Sequence, residues 1–157
     1  MTKNYFFLSL SLVFISFLGN AQEATSGIDG MRKNAISFNI GGTTPFIGIT
    51  YERVVSENVS LEIGAGIPSI GVGMKYFPWG IKESKFLFHV GLTSIFLSHE
   101  SLDIWGTSDE SGVFVVGYLP IGISYFGKNG FNLGVDVGPA IAANFGPYGN
   151  IKLGYRF

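Results

Sequence analysis

The chain has 157 residues, a length that suits one domain, and a formal net charge of −1, which does not indicate nucleic-acid binding or electrostatic attachment to a membrane surface. It contains no cysteine, so disulfides, thiolate catalysis, cysteine-ligated metals and a lipid-modified cysteine anchor are excluded. Charged residues make up only 13% of the chain, where about 25% is usual, and its 23 glycines are roughly twice the usual share.

The first 21 residues are predicted to be a secretory signal peptide. Lys3 supplies a positive start, residues 5–18 form an apolar segment, and Gly19-Asn20-Ala21 is a small-residue cleavage site. The apolar segment is too short to cross a bilayer as a helix. Cleavage after Ala21 would remove Lys3 and leave nine basic against eleven acidic residues, a net charge of −2 (9 − 11).

Most of the remaining chain alternates between apolar and polar residues with period two, the pattern of a β-strand with two different faces. High hydropathy and an export signal, without a spanning helix, predict an all-β fold: an eight-stranded antiparallel transmembrane β-barrel with up-and-down meander topology over residues 35–157. An even number of strands places the first and last residues of the barrel on the same side of the membrane. The polar residues 22–34 are therefore predicted to be a short periplasmic tail. The predicted strands are residues 35–42, 45–54, 58–67, 69–78, 84–97, 113–126, 130–142 and 148–157.

The two phases of the alternation differ in content. One phase, which begins with Ile36, Phe38 and Ile40 and continues through residues such as Ile47, Ile49 and Tyr51, is apolar and uncharged through the middle of the strands. Lipid requires this, because a Lys or Arg at mid-bilayer costs ~2–4 kcal/mol. The other phase is rich in glycine, whereas the water-facing surface of a soluble barrel such as a lipocalin would be dense in Lys and Glu. We therefore predict that the polar phase faces a narrow lumen, where its charges pair with one another. The predicted lumen cluster consists of Glu52, Glu62, Lys75 and Arg156 in the periplasmic half, with Asp136 near Lys152.

The last strand ends on an aromatic residue. Ile151, Leu153, Tyr155 and Phe157 form its apolar row, and this ending resembles the assembly signal of bacterial outer-membrane β-barrels. As a whole, the sequence resembles the small outer-membrane barrels typified by the OmpA transmembrane domain and OmpX. That resemblance implies the outer membrane as location, with outer-membrane lipid and the barrel-assembly machinery as partners. Aromatic residues near the short turns are expected to form a girdle at the membrane–water interface: Tyr51, Tyr76, Trp79, Phe86, Tyr125, Phe131, Tyr155 and Phe157.

The connections also differ between the two ends of the predicted barrel. Short turns lie at residues 55–58, 78–83 and 127–130, while the longest connection, residues 98–112, lies at the opposite end. This arrangement is typical of outer-membrane barrels, with short turns in the periplasm and long loops outside. Loops carry recognition more often than the scaffold does. We therefore expect an unknown extracellular partner, if there is one, to bind this loop, in which Leu102, Ile104 and Trp105 form an apolar anchor.

Little in the sequence points to catalysis. His99-Glu100-Ser101 resembles the His-x-Ser of outer-membrane lipid A deacylases, which are also eight-stranded barrels, and this implies an activated nucleophile. The motif is only three residues long, and unbroken alternation along the fifth strand would turn His99 toward the lumen. His89 lies in the lumen phase with no ligand neighbour at metal spacing. The leading interpretation is a non-enzymatic, porin-like outer-membrane protein, structural or partner-binding, without cofactor, metal or nucleic acid. The alternative is a lipid A-modifying enzyme that uses His99 and Ser101.

Overall fold

A computed structural model describes residues 30–67, 69–98, 113–141 and 145–157, with the side chains of Ser98 and Phe145 left out. The chain divides into two units, Met1–Met31 and Arg32–Phe157, and every described strand belongs to the second. No helix among the described residues is long and apolar enough to cross a membrane. The predicted signal peptide lies outside the described residues, as does most of the predicted tail.

The second unit consists of nine β-strand segments joined into one antiparallel sheet. Consecutive segments pair with each other except β6 and β7, which both pair with β5 and β8, and β1 also pairs with β9, where Phe38 lies opposite Leu153. The sheet therefore closes on itself. The segments are β1 Asn34–Gly41, β2 Ile47–Ser56, β3 Val59–Ile67, β4 Ser69–Tyr76, β5 Phe86–Ser98, β6 Val113–Tyr118, β7 Ile121–Phe126, β8 Phe131–Ile141 and β9 Phe145–Arg156.

The nine segments form eight barrel strands, because β6 and β7 are two parts of one strand. Both lie between β5 and β8, and the register continues from Thr93 opposite Tyr118 to Val90 opposite Ile121. Pro120 interrupts the ladder because it has no N–H to donate, although its carbonyl still accepts a bond from Gly91 N at 2.8 Å. The predicted eight-stranded, up-and-down antiparallel barrel is thus confirmed.

The barrel is apolar outside and polar inside. Outward side chains such as Ile49 (61% exposed) and Val137 (61%) are solvent-accessible, while inward Lys152 is 1% exposed. This distribution is the reverse of a water-soluble domain, in which the largest apolar side chains are buried and the charges are exposed.

The connection between β1 and β2 folds into the barrel. Gly41 and Gly42 adopt φ of +82° and +75°, a region that favours glycine, and turn the chain inward. Thr43 and Thr44 are then buried at 2% and 0% exposure. The Thr43 hydroxyl bonds to that of Thr50 at 2.8 Å, and Thr44 Oγ1 accepts a bond from Asn39 at 2.9 Å. We call residues 41–46 the inner loop.

Glycines in the wall make room for the inner loop. A Cβ built on Gly71 of β4 would lie 2.0 Å from the Thr43 carbonyl oxygen. One built on Gly64 of β3 would lie 2.1 Å from the Thr43 hydroxyl oxygen. These distances are too short for any side chain, so part of the glycine excess is explained by the close approach of this loop.

The opposite end of the barrel, which we call the turn end, is closed by apolar side chains. It carries the β2–β3 and β7–β8 turns and the β4–β5 connection. Phe77, Ile81 and Phe126 are buried there, with the Phe77 and Phe126 ring centroids 5.8 Å apart. The Arg156 guanidinium lies 4.0 Å from the centroid of Phe126. The lumen is therefore filled at both ends.

Candidate functional site

The midsection of the lumen contains a chain of alternating acidic and basic side chains. Lys152 of β9 forms ion pairs with Glu52 of β2 and, at 3.2 Å, with Glu62 of β3. Lys75 of β4 lies 3.6 Å from Glu62 and 3.1 Å from Asp136 of β8. The order is therefore Glu52–Lys152–Glu62–Lys75–Asp136, which we call the lumen network, and it joins strands from opposite sides of the barrel.

Two further polar side chains donate hydrogen bonds to Asp136, the residue at one end of the lumen network. Tyr118 donates its hydroxyl proton to Asp136 Oδ1 at 2.8 Å, and Asn150 donates to Oδ2 at 3.0 Å. The members of the network are at most 6% exposed. A buried charge is tolerated only when it is paired and hydrogen-bonded. Each of the three carboxylates has at least one of the two ammonium groups as a partner, so no charge in the network is left unpaired.

The lumen network includes five of the six charged residues singled out from the sequence. We expected Asp136 beside Lys152, but its carboxylate contacts Lys75. Arg156 lies outside the network, because its guanidinium stacks on Phe126 and donates from Nε and Nη2 to the Arg32 carbonyl at 3.1 and 3.0 Å. The position of a residue in its strand indicates how deep in the membrane it lies. It does not indicate which side chains from different strands meet in the lumen.

His89 is more closely surrounded than its sequence neighbours indicated. Its Nδ1 lies 3.3 Å from Ser124 Oγ, and its Nε2 lies 3.6 Å from Asp136 Oδ2. Asp136 belongs to β8 and reaches the same level through register, since Gly122 of β7 pairs with both His89 and Asp136. Asp136 is distant from His89 in the sequence, so the sequence neighbours of His89 do not reveal it. The pairing of β5, β7 and β8 does place the two residues at the same level.

Ser124, His89 and Asp136 stand in the order of a serine-hydrolase triad, but their surroundings do not suit catalysis. Their exposed fractions are 1%, 0% and 3%. Asp136 is also shared with Lys75, and Phe77 covers the imidazole at a ring-centroid distance of 5.4 Å. A nucleophile must be reachable by its substrate. We therefore interpret the three residues as interior packing that extends the lumen network.

The described residues contain no group of three or more His, Cys, Asp or Glu placed to hold a metal ion. The carboxylates in the lumen already have lysine partners, which would compete with a cation.

The apolar row of the last strand lies on the outer surface, with Ile151, Leu153, Tyr155 and Phe157 all about half exposed. Phe157 also completes the β1–β9 pairing through its backbone. Its N–H donates to the Asn34 carbonyl at 2.8 Å, and its carbonyl accepts from the Asn34 N–H at 3.1 Å. The final residue is therefore part of the seam that closes the barrel.

Aromatic side chains cluster near the turn end. Tyr125 lies between Phe86 and Phe131, with ring centroids 5.2 and 6.4 Å away. The Trp79 ring centroid is 5.7 Å from that of Phe88. The loop residues Leu102, Ile104 and Trp105, and the pair His99 and Ser101, lie outside the described residues.

Comparison with known proteins gives one match, in structure. Superposition on the crystal structure of the N-terminal β-barrel domain of Pseudomonas aeruginosa OprF gives a TM-score of 0.56, covering 81% of this chain and 100% of that domain. This chain has the fold of the OprF barrel. The two sequences are 13% identical, so the likeness concerns the fold alone. No protein-family model and no curated protein matches the sequence. The resemblance to OmpA-type small barrels predicted from the sequence is confirmed by the OprF match.

Proposed function

We propose that this chain is an outer-membrane β-barrel protein without enzymatic activity, a closed scaffold in lipid that binds any partner through its loops. The observation that carries the proposal is the inverted distribution of side chains. The outer surface is apolar and uncharged through the middle of the strands, with Arg53 near the turn end of β2 as a charged outward residue, while Glu52, Glu62, Lys75, Asp136, Lys152 and Arg156 are buried inside.

The environment that best suits this outer surface is hydrocarbon. Contiguous exposed apolar area of this kind is rare on soluble monomers and marks contact with a membrane or partner. A closed barrel has no free strand edge, as lipid requires of a spanning sheet. We further propose that the turn end faces the periplasm, that residues 1–21 direct export, and that the barrel-assembly machinery recognises the row ending in Phe157.

The filled lumen supports a structural role over a diffusion pore. The inner loop occupies one end, the lumen network the middle, and Phe77 and Phe126 the other end. An eight-stranded barrel has an interior just wide enough for its side chains. We infer that partner binding would involve the loop at residues 98–112 rather than the lumen.

The proposal is tested with a lysine on the outer surface. Val135, at the middle of β8, is 50% exposed. If Val135 faces hydrocarbon, Val135→Lys should lower the free energy of unfolding of the barrel in vesicles by ~2–4 kcal/mol and reduce the yield of heat-modifiable protein in the outer-membrane fraction. Asn129→Lys, in an exposed turn, is the matched control. A soluble, monomeric Val135→Lys protein of undiminished stability would contradict the proposal.

A further inference from the structure

The connection between β4 and β5, residues 77–85, has a fixed conformation at the turn end. Its start is held by the Phe77 N–H, which donates to the Asn58 carbonyl at 2.7 Å, and its middle by the Ile81 N–H, which donates to Glu57 at 2.6 Å. Its end is held by the Ser84 N–H, which donates to Phe126 at 2.6 Å. Phe77 and Ile81 are buried inward, so the outer side of the connection is held in place by packing beneath it.

A cavity of about 210 Å³ lies on that outer side, lined by Trp79, Gly80, Lys82, Lys85, Phe86, Leu87 and Phe88. Pockets for drug-sized ligands usually measure about 300–1,000 Å³. This cavity is therefore sized for part of a larger molecule whose remainder lies outside it.

The two charged residues that line this cavity are both basic. Lys82 and Lys85 both line it, and neither forms an ion pair with any residue that the structure describes. No acidic side chain lines it. Two lysines that line one small cavity favour an anion with several acceptor oxygens.

The remaining wall of the cavity is aromatic and continuous with the outer apolar surface. Trp79 and Phe86 are 70% and 73% exposed, and Phe88 packs against Trp79. Aromatic rings in this position mark the membrane–water interface of barrels. A molecule that satisfies both parts of the cavity combines an anionic group with an apolar portion, and in a bilayer a phospholipid has both.

We propose that this cavity binds the phosphate head group of an anionic phospholipid, with Lys82 and Lys85 at the phosphate and the acyl chain along Trp79, Phe86 and Phe88. The inference rests on the proposed function, since the lipid must reach the turn end from the surrounding bilayer leaflet. Basic clusters beside an apolar surface attract anionic lipid in this manner.

The test measures which lipid contacts Trp79. A Trp105→Phe background leaves Trp79 as the one tryptophan, because the chain contains two. The mature barrel is reconstituted in phosphatidylcholine vesicles containing a minority of phosphatidylglycerol, with bromine on the acyl chains of one lipid or the other. Bromine quenches tryptophan fluorescence at contact, so the ratio of the two quenching efficiencies reports the preference of the site.

Brominated phosphatidylglycerol should quench well beyond its mole fraction. Lys82→Gln and Lys85→Gln should each reduce the preference by about fivefold. Lys128→Gln, which removes an exposed lysine from the neighbouring turn at the same end, should leave it unchanged. An equal loss in Lys128→Gln, or an undiminished preference in Lys82→Gln/Lys85→Gln, would overturn the site.

Two further outcomes separate the possible failures. If the folded protein shows no quenching by either lipid, it is not in the bilayer, and the proposed function fails together with the site. If both lipids quench in proportion to their mole fractions, the head-group site alone fails. Excess inorganic phosphate should leave the preference unchanged; its loss would indicate a site for free anions and would overturn the lipid assignment.

Discussion

Lys152 contacts Glu52 inside the lumen, although the two residues lie 100 positions apart in the chain and are not register partners. Lys152 is paired in register with Asn39 of β1 and with Gly134 of β8. Its ammonium group is therefore directed into the lumen, where it forms ion pairs with two carboxylates, those of Glu52 and Glu62. This lysine links the first strands of the barrel to the last.

Lys152→Met should be strongly destabilising, because it leaves Glu52 buried without a cationic partner within hydrogen-bond distance. Breaking a buried pair in this way costs about 3–5 kcal/mol. Urea unfolding of the barrel in vesicles measures the loss. Lys128→Met, which removes an exposed turn lysine, should change the free energy of unfolding little. A Lys152→Met barrel as stable as the unsubstituted protein would show that the lumen network contributes nothing.

Gly71→Ala should displace the inner loop, because its Cβ would overlap the Thr43 carbonyl oxygen. Overpacking of this kind costs about 1–3 kcal/mol, and urea unfolding of the barrel in vesicles measures the loss. Gly134→Ala is the matched control, since the nearest atom to its Cβ, on Lys152, lies 3.5 Å away. Equal stability of the two variants would be inconsistent with the described position of the loop.

Deletion of Phe157 should leave the protein in the periplasm and sensitive to protease, because it removes both the terminal aromatic ring and two backbone bonds to Asn34. Phe157→Ala keeps the backbone bonds, and Phe157→Tyr keeps the ring as well. If the ring is the assembly signal, the alanine variant should fail and the tyrosine variant should assemble. Normal outer-membrane yield from the deletion would refute the signal.

An epitope tag inserted at Ser108 should be labelled on intact cells, because the connection between β5 and β6 leaves the barrel at the end opposite the short turns. A tag at Lys128, in the β7–β8 turn, should be labelled only after permeabilisation. The reverse pattern would invert the proposed topology.

His99→Ala/Ser101→Ala should leave the acyl content of lipid A unchanged, since we interpret this motif as part of a polar loop. Mass spectrometry of lipid A from cells that express each form measures the outcome. A difference in acyl number that depends on these two residues would establish the enzymatic alternative.

The strands could be predicted from the sequence because alternation is a local signal. It is visible in each segment, and it also assigns Ile49 to the outer surface and Lys75 to the lumen. The interior contacts depend on residues that are distant in the chain. His89 meets Asp136 only through the pairing of β5, β7 and β8. Thr43 is buried in the barrel, but threonine also occurs in exposed turns, so the sequence around it does not indicate burial. A local pattern therefore predicts the wall of the barrel well and its contents poorly.

The inner loop also has a consequence for sequence change over evolutionary time. Gly64 and Gly71 are free of side chains because Thr43 occupies the space that those side chains would need. Neither the loop nor these wall positions can then change independently. A related barrel that carries alanine or larger residues at these two positions should also carry a β1–β2 loop of different length or composition that folds outward. Covariation between the loop and the two wall positions would therefore record, in sequence alone, which members of such a lineage are plugged.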